Sequence, residues 1–457
     1  MAEDSTAVVW FRRDFRLSEN PAWSAATIRH ERVVPVVVLD PDLLDRVSDR
    51  RARMFRAHVA GLSRQLTELD GGLTVRLGRP ADVLPGVVEE CGASVVYINR
   101  DASPFGRARD AEVESGLGAP IVRHDGLTAH RPGSVLTASG TLSQVFSAFH
   151  KRWSATPLEP WPSPGPASIA VLASDTPAAG TDPLDWPAGE EAALGRLARW
   201  TERVDDYAST RESFIAGDTS RLSIDLKFGA ISARTILDMI GTHTPGRAAF
   251  ARQLAWRDWW AHHLMQRPGL VDEEWSPRFR GVPWNDDARA FALWQRGETG
   301  YPLIDAGMRE LAATGWMNNR LRMVTASFLV KDLLVDWRRG ERHFRHELLD
   351  GDVSQNVGNW QWVAGTGPDA APFFRVFNPV RQSRTFDPDG GYIRRWVPEL
   401  AALRSPWIHE PWTFPPLDLA AAGVTLGESY PAPIVDHRVA RQEALDAYEV
   451  ARQSNET

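Results

Sequence analysis

Thirteen residues, Asp350-Gly351-Asp352-Val353-Ser354-Gln355-Asn356-Val357-Gly358-Asn359-Trp360-Gln361-Trp362, hold two carboxylates, several amides and two indoles. Asp350, Asp352, Asn356 and Trp360 follow at spacings of two, four and four, so a turn leading into a helix would gather the carboxylates and Asn356 at one end of a cavity. Close Asp pairs serve metal binding or acid–base chemistry in many sites. No His or third carboxylate joins these two at ligand spacing, which makes metal the weaker reading. Carboxylates also accept hydrogen bonds from ring N–H groups and ribose hydroxyls, which suits a flavin or nucleoside. The chain carries 19 Trp, and an indole rarely buries completely and needs a partner for its N–H. Indole also stacks on planar rings and, with Tyr, releases an electron readily. The pattern points to a polar cavity walled by aromatics, built for a flat heterocycle.

Three further segments could join such a site. Gly217-Asp218-Thr219-Ser220-Arg221-Leu222-Ser223 offers hydroxyls, backbone N–H groups and a guanidinium to a phosphate; taken alone, a plain N-cap is the favoured reading. On a helix, Gln253, Trp256, Arg257 and Trp260 share a face that could stack a base and hold its edge, or could pack on a neighbour with Arg257 and Asp258 in ion pairs. Asn318 and Asn319 disfavour a helix, so the segment around Trp316-Met317-Asn318-Asn319-Arg320-Leu321-Arg322-Met323 leans towards function, with Asn319 and Met323 on one face. Lys331-Asp332 and residues 336–339 read as a solvated helix face in which only Trp337 invites a special role.

The elements that position these residues fall into two classes. Short apolar, β-branched runs at 8–11, 33–39, 73–77, 94–98 and 121–124 alternate with helical stretches near 52–69 and 81–91, which predicts a doubly wound parallel sheet. Ligands of such sheets bind beyond the carboxyl ends of the strands, where Arg12, Arg13, Asp14 and Asn99-Arg100-Asp101 would lie. No Gly-x-Gly-x-x-Gly follows the first strand, which argues against an ordinary dinucleotide site. From about 153 to 189 the chain turns Pro-rich, as in a semi-rigid linker wrapping the surface. Helical periodicity dominates from about 190 to 347, and a final helix is expected near 436–452. The division is therefore 1–130 for the α/β domain, 131–195 for the linker and 196–457 for an all-α domain.

Bulk properties narrow the class. Cys91 is the lone cysteine, which excludes an intrachain disulfide and fits a reducing cytoplasm. The opening Met1-Ala2-Glu3-Asp4 lacks a secretory pattern, and no apolar run approaches the roughly 20 residues of a membrane helix. A net charge of −7 argues against a generally adhesive nucleic-acid binder but leaves room for a local basic groove.

In this order, the segments resemble the photolyase/cryptochrome family of flavoproteins. The likeness runs through 10–21, Thr219 to Ser223, Trp256-Arg257, 315–323, Asp350 to Trp362, Phe377-Asn378-Pro379 and 431–437, covering essentially all but the linker. The resemblance implies an N-terminal α/β antenna domain, a wrapping linker and a helical FAD-binding domain. Tyr207, Thr219, Ser220, Arg221, Leu222 and Ser223 would hold the FAD phosphates and ribityl chain, with Arg257 nearby. Asp350, Gly351 and Asp352 would face the polar edge of the flavin, and Asn356 its N5. Trp360, Trp337 and Trp284 match the family's electron relay. Trp256 and Trp362 would cradle a pyrimidine dimer flipped from DNA, with Gln253, Trp260, Asn319 and Met323 in the same region and Arg320, Arg375 and Gln382 on the strand. The activity so implied is blue-light-driven electron transfer from reduced FAD to a cyclobutane dimer in UV-damaged DNA, by a cytoplasmic monomer with no membrane attachment.

Departures keep alternatives open. Gln253 stands where cyclobutane-dimer photolyases commonly carry Glu, Asn318 where His is common, and Val357 where Asn is common. A cryptochrome-like photoreceptor without repair is the alternative; a (6-4) photolyase is disfavoured because Asn318 and Asn319 supply no His. Residues 99–107, with Asn99 and Asp101, resemble members that bind a deazaflavin or flavin antenna more than those that bind a folate.

Overall fold

The structure is a computed structural model and describes residues 3–176, 186–214, 219–369 and 374–455. Gly217, Asp218, Pro177 and Pro183 lie outside the described residues. By contacts the chain divides into two compact units, one of residues 1–208 with 220–268 and one of 209–219 with 269–457.

The first unit is built on a parallel sheet. Strands β1 (Glu3–Phe11), β2 (His30–Leu39), β3 (Thr74–Leu77), β4 (Ala93–Asn99) and β5 (Ile121–His124) stand in the order β3-β2-β1-β4-β5. Every pairing is parallel. Val33, Val34, Val36 and Val37 are fully buried, which explains why β2 reads as a continuous apolar run with no alternation. The crossover helices start on local signals. Asn20 caps helix Pro21–Arg29 by accepting from Trp23 N–H, and Ser103 caps helix Pro104–Gly116 by accepting from Gly106 N–H. The strand order reverses between β1 and β4, and there Asn99 Nδ2 donates to Asp14 Oδ2 at 2.6 Å and to Asn20 Oδ1 at 2.7 Å.

The linker is more than a wrapping strap. Ser168–Ile169 forms a short strand, β6, that pairs with β2 at Arg32 and Val33, a pairing its Pro-rich surroundings conceal. Ala170 N–H donates to Val33 O, and Leu172 N–H to Thr74 Oγ1, both at 2.9 Å. Where the linker ends, a Cβ on Gly61 would lie 2.7 Å from Gly189 Cα, so two backbones touch there. Glu190 follows and accepts from Leu17 N–H at 2.8 Å and from Gln65 Nε2 at 3.0 Å, tying the loop after β1 to the linker's end.

The second unit is helical. Asn319–Ser327 runs into a buried π-helical turn, Phe328–Asp332, and Trp337–Glu347 and Val353–Ala364 follow. The expected solvated face at Lys331-Asp332 is overturned: the two residues are 1% and 5% exposed. Lys331 Nζ donates to Ala364 O at 2.9 Å and lies 3.4 Å from the centre of the Tyr448 ring, and burial lowers its pKa well below the usual lysine value. Asp332 sits 2.5 Å from His437 Nδ1, with its pKa raised by burial to about 6. Trp337 is buried too, and the π turn rotates these polar groups inward, which no 3.6-residue period foretells. Among the described residues no helix is long and apolar enough to cross a membrane.

Buried histidines set an acid limit in the first unit. His58 is fully buried and accepts from Gly189 N–H, and burial together with Arg196 lowers its pKa to about 3. An unfolded His58 would take its proton near pH 6.5, so the unfolded state binds more protons below that pH and stability falls as pH drops towards 3. Replacing His58 with Gln, which keeps an acceptor, should flatten the fall in unfolding free energy between pH 6.5 and 4 by about 3 kcal/mol. Denaturant titrations at both pH values measure this, and equal slopes for the two proteins would contradict it.

Candidate functional site

In the second unit, helix Val353–Ala364 carries the central residues. Asp352 caps it, accepting from Ser354 N–H at 3.0 Å and Gln355 N–H at 3.2 Å. Asn356 and Trp360, one and two turns on, face the same cleft, which Asp350, Gly351, Asp352, Asn319, Arg322 and Met323 also line. The polar edge is held from behind. Arg322 grips Asp350 through two parallel bonds, Nη1 to Oδ1 at 3.0 Å and Nη2 to Oδ2 at 2.9 Å. Asn356 Nδ2 donates to Glu341 O at 2.8 Å and to Glu341 Oε1 at 2.9 Å. With both amide hydrogens committed, Asn356 keeps Oδ1 as its remaining polar atom, an acceptor. Burial raises the Glu341 pKa, against the opposing pull of Arg345 and Asn356.

The indoles of this unit are graded by exposure. Trp360 is 2% exposed and Trp337 is fully buried, whereas Trp284 is half-buried. Gly340 lies one turn after Trp337, and a Cβ there would sit 2.2 Å from Trp360 Cη2, so this helix presses directly on the Trp360 ring. Trp337 Nε1 donates to Glu274 Oε1 at 3.3 Å, and Arg338 Nη2 donates to Glu274 Oε2 at 2.8 Å. Trp284 meets Tyr448 edge-on at 5.9 Å. Trp362 is half-buried, and its Nε1 is enclosed with no hydrogen-bond partner among the described residues. Asn319 is exposed and donates to Met323 Sδ at 3.6 Å, so the pair does share a face. Asn318 is structural: it caps helix Asn319–Ser327 and donates to Ser213 O at 3.0 Å. Arg320 bonds Glu212 at 2.5 Å and lies 4.9 Å over Phe386. Arg375 is exposed, and Gln382 has a buried Oε1 without a partner among the described residues. Thr219 is half-buried.

In the first unit, helix Pro245–Gln266 bears Gln253, Trp256, Arg257 and Trp260. Trp256 is half-buried and stacks on Phe146 with ring centres 3.7 Å apart, while Trp260 is 2% exposed and belongs to the core. Gln253 Nε2 reaches Ala249 O at 3.4 Å. Arg257 donates to Leu127 O at 2.6 Å and Leu226 O at 3.3 Å. The ion-pair alternative for Asp258 gives way to a different role: Asp258 accepts from Ala129 N–H, His130 N–H and Trp153 Nε1. Ser220 Oγ accepts from Leu222 N–H at 3.2 Å, Arg221 adopts φ +53°, and helix Ser223–Phe228 begins with no side-chain cap. Tyr207 packs edge-on against Trp200 and Phe250. Asn99 and Asp101 are both buried, and Arg13, Arg109 and Ser103 N–H outweigh burial to lower the Asp101 pKa.

Sequence reasoning missed Arg322 and Glu341 as the supports of Asp350 and Asn356, and Glu274 as the partner of Trp337. Their contacts are made in space by separate helices, so no local spacing marks them. Gly340 had a readable signal, a glycine inside a helical stretch, whose usual reason is close packing. Gly340→Ala should gain about 1 kcal/mol of helix propensity, but overpacking against a ring that is 2% exposed should cost about 1–3 kcal/mol. A net loss of up to about 2 kcal/mol is expected from the denaturant midpoint; a raised midpoint would show that Trp360 is free to move.

The cleft's chemistry fits the isoalloxazine edge of a flavin: an amide oxygen fixed as an acceptor, a carboxylate braced by Arg322, a helix cap at Asp352 and the Trp360 ring. Comparison with known proteins agrees. Residues 250–450 match the FAD binding domain of DNA photolyase, and residues 7–167 match DNA photolyase. The chain is 37% identical to the deoxyribodipyrimidine photo-lyase of Agrobacterium fabrum, over 98% of each sequence. Among solved structures it is similar to a bacterial class III photolyase from Agrobacterium tumefaciens, with TM-score 0.89, 36% identity and 99% of each chain covered. It is also similar to a cryptochrome of Synechocystis, with TM-score 0.87, 28% identity, and 98% and 100% of the two chains covered. With a parallel-sheet first half, a helical FAD-binding domain and this cleft, the chain belongs to the photolyase/cryptochrome family.

Proposed function

We propose that this protein is a deoxyribodipyrimidine photolyase, which uses blue light to split cyclobutane pyrimidine dimers in DNA. The observation that carries the reading is the cleft on helix Val353–Ala364, where Glu341 orients the Asn356 amide and Arg322 braces Asp350. FAD, when bound and reduced, supplies the light-excited electron that the dimer needs. Asn356 Oδ1 would accept from an N–H donor on that cofactor, and an amide there, unlike a carboxylate, would not repel a reduced anion. Asp350, Gly351 and Asp352 would receive its polar edge. Tyr207, Thr219 to Ser223 and Arg257 would hold its phosphate and ribityl portions, with the uncapped start of helix Ser223–Phe228 offering backbone N–H groups. Trp256, Trp362, Asn319 and Met323 would receive the flipped dimer, which is weakly stacked and so cheap to extrude. Gln253 would donate a hydrogen bond to it but supply no proton. Arg320, Arg375 and Gln382 would meet the strand. The functional division would be antenna-binding 1–130, linker 131–195 and FAD-binding 196–457, with Asn99 and Asp101 near an antenna chromophore.

A second reading, a cryptochrome-like photoreceptor without repair, is favoured by Gln253 and by the likeness to the Synechocystis cryptochrome. Illumination of thymine-dimer DNA with the purified, reduced protein separates the two. Loss of dimers in the light and not in the dark is expected; intact dimers with flavin bound would leave only the photoreceptor reading. Trp360→Phe should slow photoreduction of oxidised protein by at least about 100-fold, because a phenyl ring gives up an electron far less readily than indole, a loss of several kcal/mol in driving force. The same variant should still repair when flavin is reduced beforehand. Joint loss of both activities would show that Trp360 supports the site structurally instead of feeding it electrons.

A further inference from the structure

The first unit bears a second site candidate that the photolyase reading does not use. A groove of about 450 Å³ runs along helix Pro21–Arg29, bounded by the end of β5, Arg131, Arg234 and the linker's Trp161. That size falls within the roughly 300–1,000 Å³ of small-molecule pockets. Its floor is apolar, and Ile28 is 47% exposed there, an unusual setting for a large aliphatic side chain beside arginines. Trp161 is half-buried, and the Arg234 guanidinium lies 3.9 Å from its ring centre, held by bonds to Ala129 O at 2.8 Å and Glu159 O at 2.5 Å. Four arginines line the groove, and Asp125 is the one carboxylate among the lining residues.

The charges do not cancel. Arg123 is neutralised by a two-point bond to Glu114 at 2.9 and 2.8 Å, and Asp125 is shared between Arg100 at 3.4 Å and Arg131 at 3.6 Å. Arg234 bonds backbone carbonyls, and Arg29 is exposed with no ion pair among the described residues. The groove is therefore positive on a chain whose net charge is −7. His124 adds no polar point: its ring stacks on Tyr97 at 6.0 Å, and its enclosed Nε2 has no hydrogen-bond partner among the described residues. That nitrogen is shut off from the groove surface, so recognition in the groove rests on its arginines and its apolar floor.

We propose that this groove binds a phosphorylated planar heterocycle of mononucleotide size. The ring would lie on the apolar floor beside Trp161, and its phosphate would sit between Arg29 and Arg234. Aromatic contact plus guanidinium pairing distinguishes this ligand from inorganic phosphate, which would find no use for the floor, and from a neutral nucleoside, which would find no use for the arginines.

The test uses the full-length protein with FAD bound and adenosine 5′-monophosphate as probe, read by calorimetry, with adenosine and inorganic phosphate as comparators. Saturable binding of the nucleotide is expected, tighter than either comparator. Arg29→Glu, on an exposed side chain, should weaken it by at least about tenfold, as reversing a charge beside a phosphate does. Trp161→Ala should weaken the nucleotide more than it weakens phosphate, and flavin content should stay unchanged in both variants. Absence of saturable binding at millimolar nucleotide would overturn the proposal, as would binding untouched by Arg29→Glu. A short undamaged duplex that binds in an Arg29-dependent way while the mononucleotide does not would overturn it as well, since the groove would then be reading a DNA backbone.

Discussion

Helix Val353–Ala364 can serve a cofactor only if polar groups on its inner face are committed before the cofactor arrives. A buried amide left to choose its own partners would swing, and a buried carboxylate without a partner is costly to hold in place. Both are prevented from outside the helix. Glu341 takes both donor positions of Asn356, and Arg322 takes both oxygens of Asp350. Asp352 is fixed from inside by the helix start it caps. Three polar side chains are thus oriented by three different means, and the cleft presents one acceptor oxygen, one braced carboxylate and one helix cap. Preorganisation of this kind holds hydrogen-bonding groups in place with no reorganisation at the moment of reaction.

How far this was legible in the sequence depends on the range of the interaction. Strand runs such as 33–39 are local and emerged where apolar continuity placed them, whereas helices Pro21–Arg29 and Pro104–Gly116 went unread although Asn20 and Ser103 carry the capping chemistry that marks their starts. Asn356 and Trp360 lie on one cleft because four-residue spacing is a property of the helix itself. Glu341 and Arg322 could not be assigned, since nothing in their own neighbourhoods records which helix they will meet. The buried Lys331-Asp332 pair misleads for a similar reason. A charged dipeptide reads as solvent-facing because charge is costly to bury, and only the π turn and the Tyr448 ring reverse that. Strand β6 shows the converse case, where Pro-rich composition hid a two-residue pairing fixed by its neighbour β2.

Arginine explains much of how an acidic chain assembles. Arg16 donates to Gly229 O and Gly126 O, Arg257 to Leu127 O and Leu226 O, and Arg234 to Ala129 O and Glu159 O. A guanidinium carries five donors in a rigid plane and can join two loops through their carbonyls without any carboxylate. Lysine cannot span two carbonyls so rigidly, and the buried Lys331 points its ammonium at the Ala364 carbonyl and the Tyr448 ring. Positive charge buried as bracing, as at Arg16, is out of reach of DNA, so a count of basic residues overstates the strength of any nucleic-acid surface on this protein.

The grading of the indoles bears on the direction in which charge would travel. A positive charge on Trp360, 2% exposed and packed on Trp294 and Phe344 at ring distances of 6.2 and 5.0 Å, would be largely cut off from water. On Trp337 the ring N–H faces the Glu274 carboxylate, which lowers the energy of a cation there, although Arg338, paired to the same carboxylate, offsets part of that gain. On the half-buried Trp284, water can solvate the charge directly. Desolvation separates the buried Trp360 and Trp337 from the half-buried Trp284, because the transfer of an ion from water to a protein interior costs several kcal/mol even after relaxation. In the proposed relay the Glu274 carboxylate would favour the step to Trp337 and water the step to Trp284, so a positive charge would run outward and an electron inward.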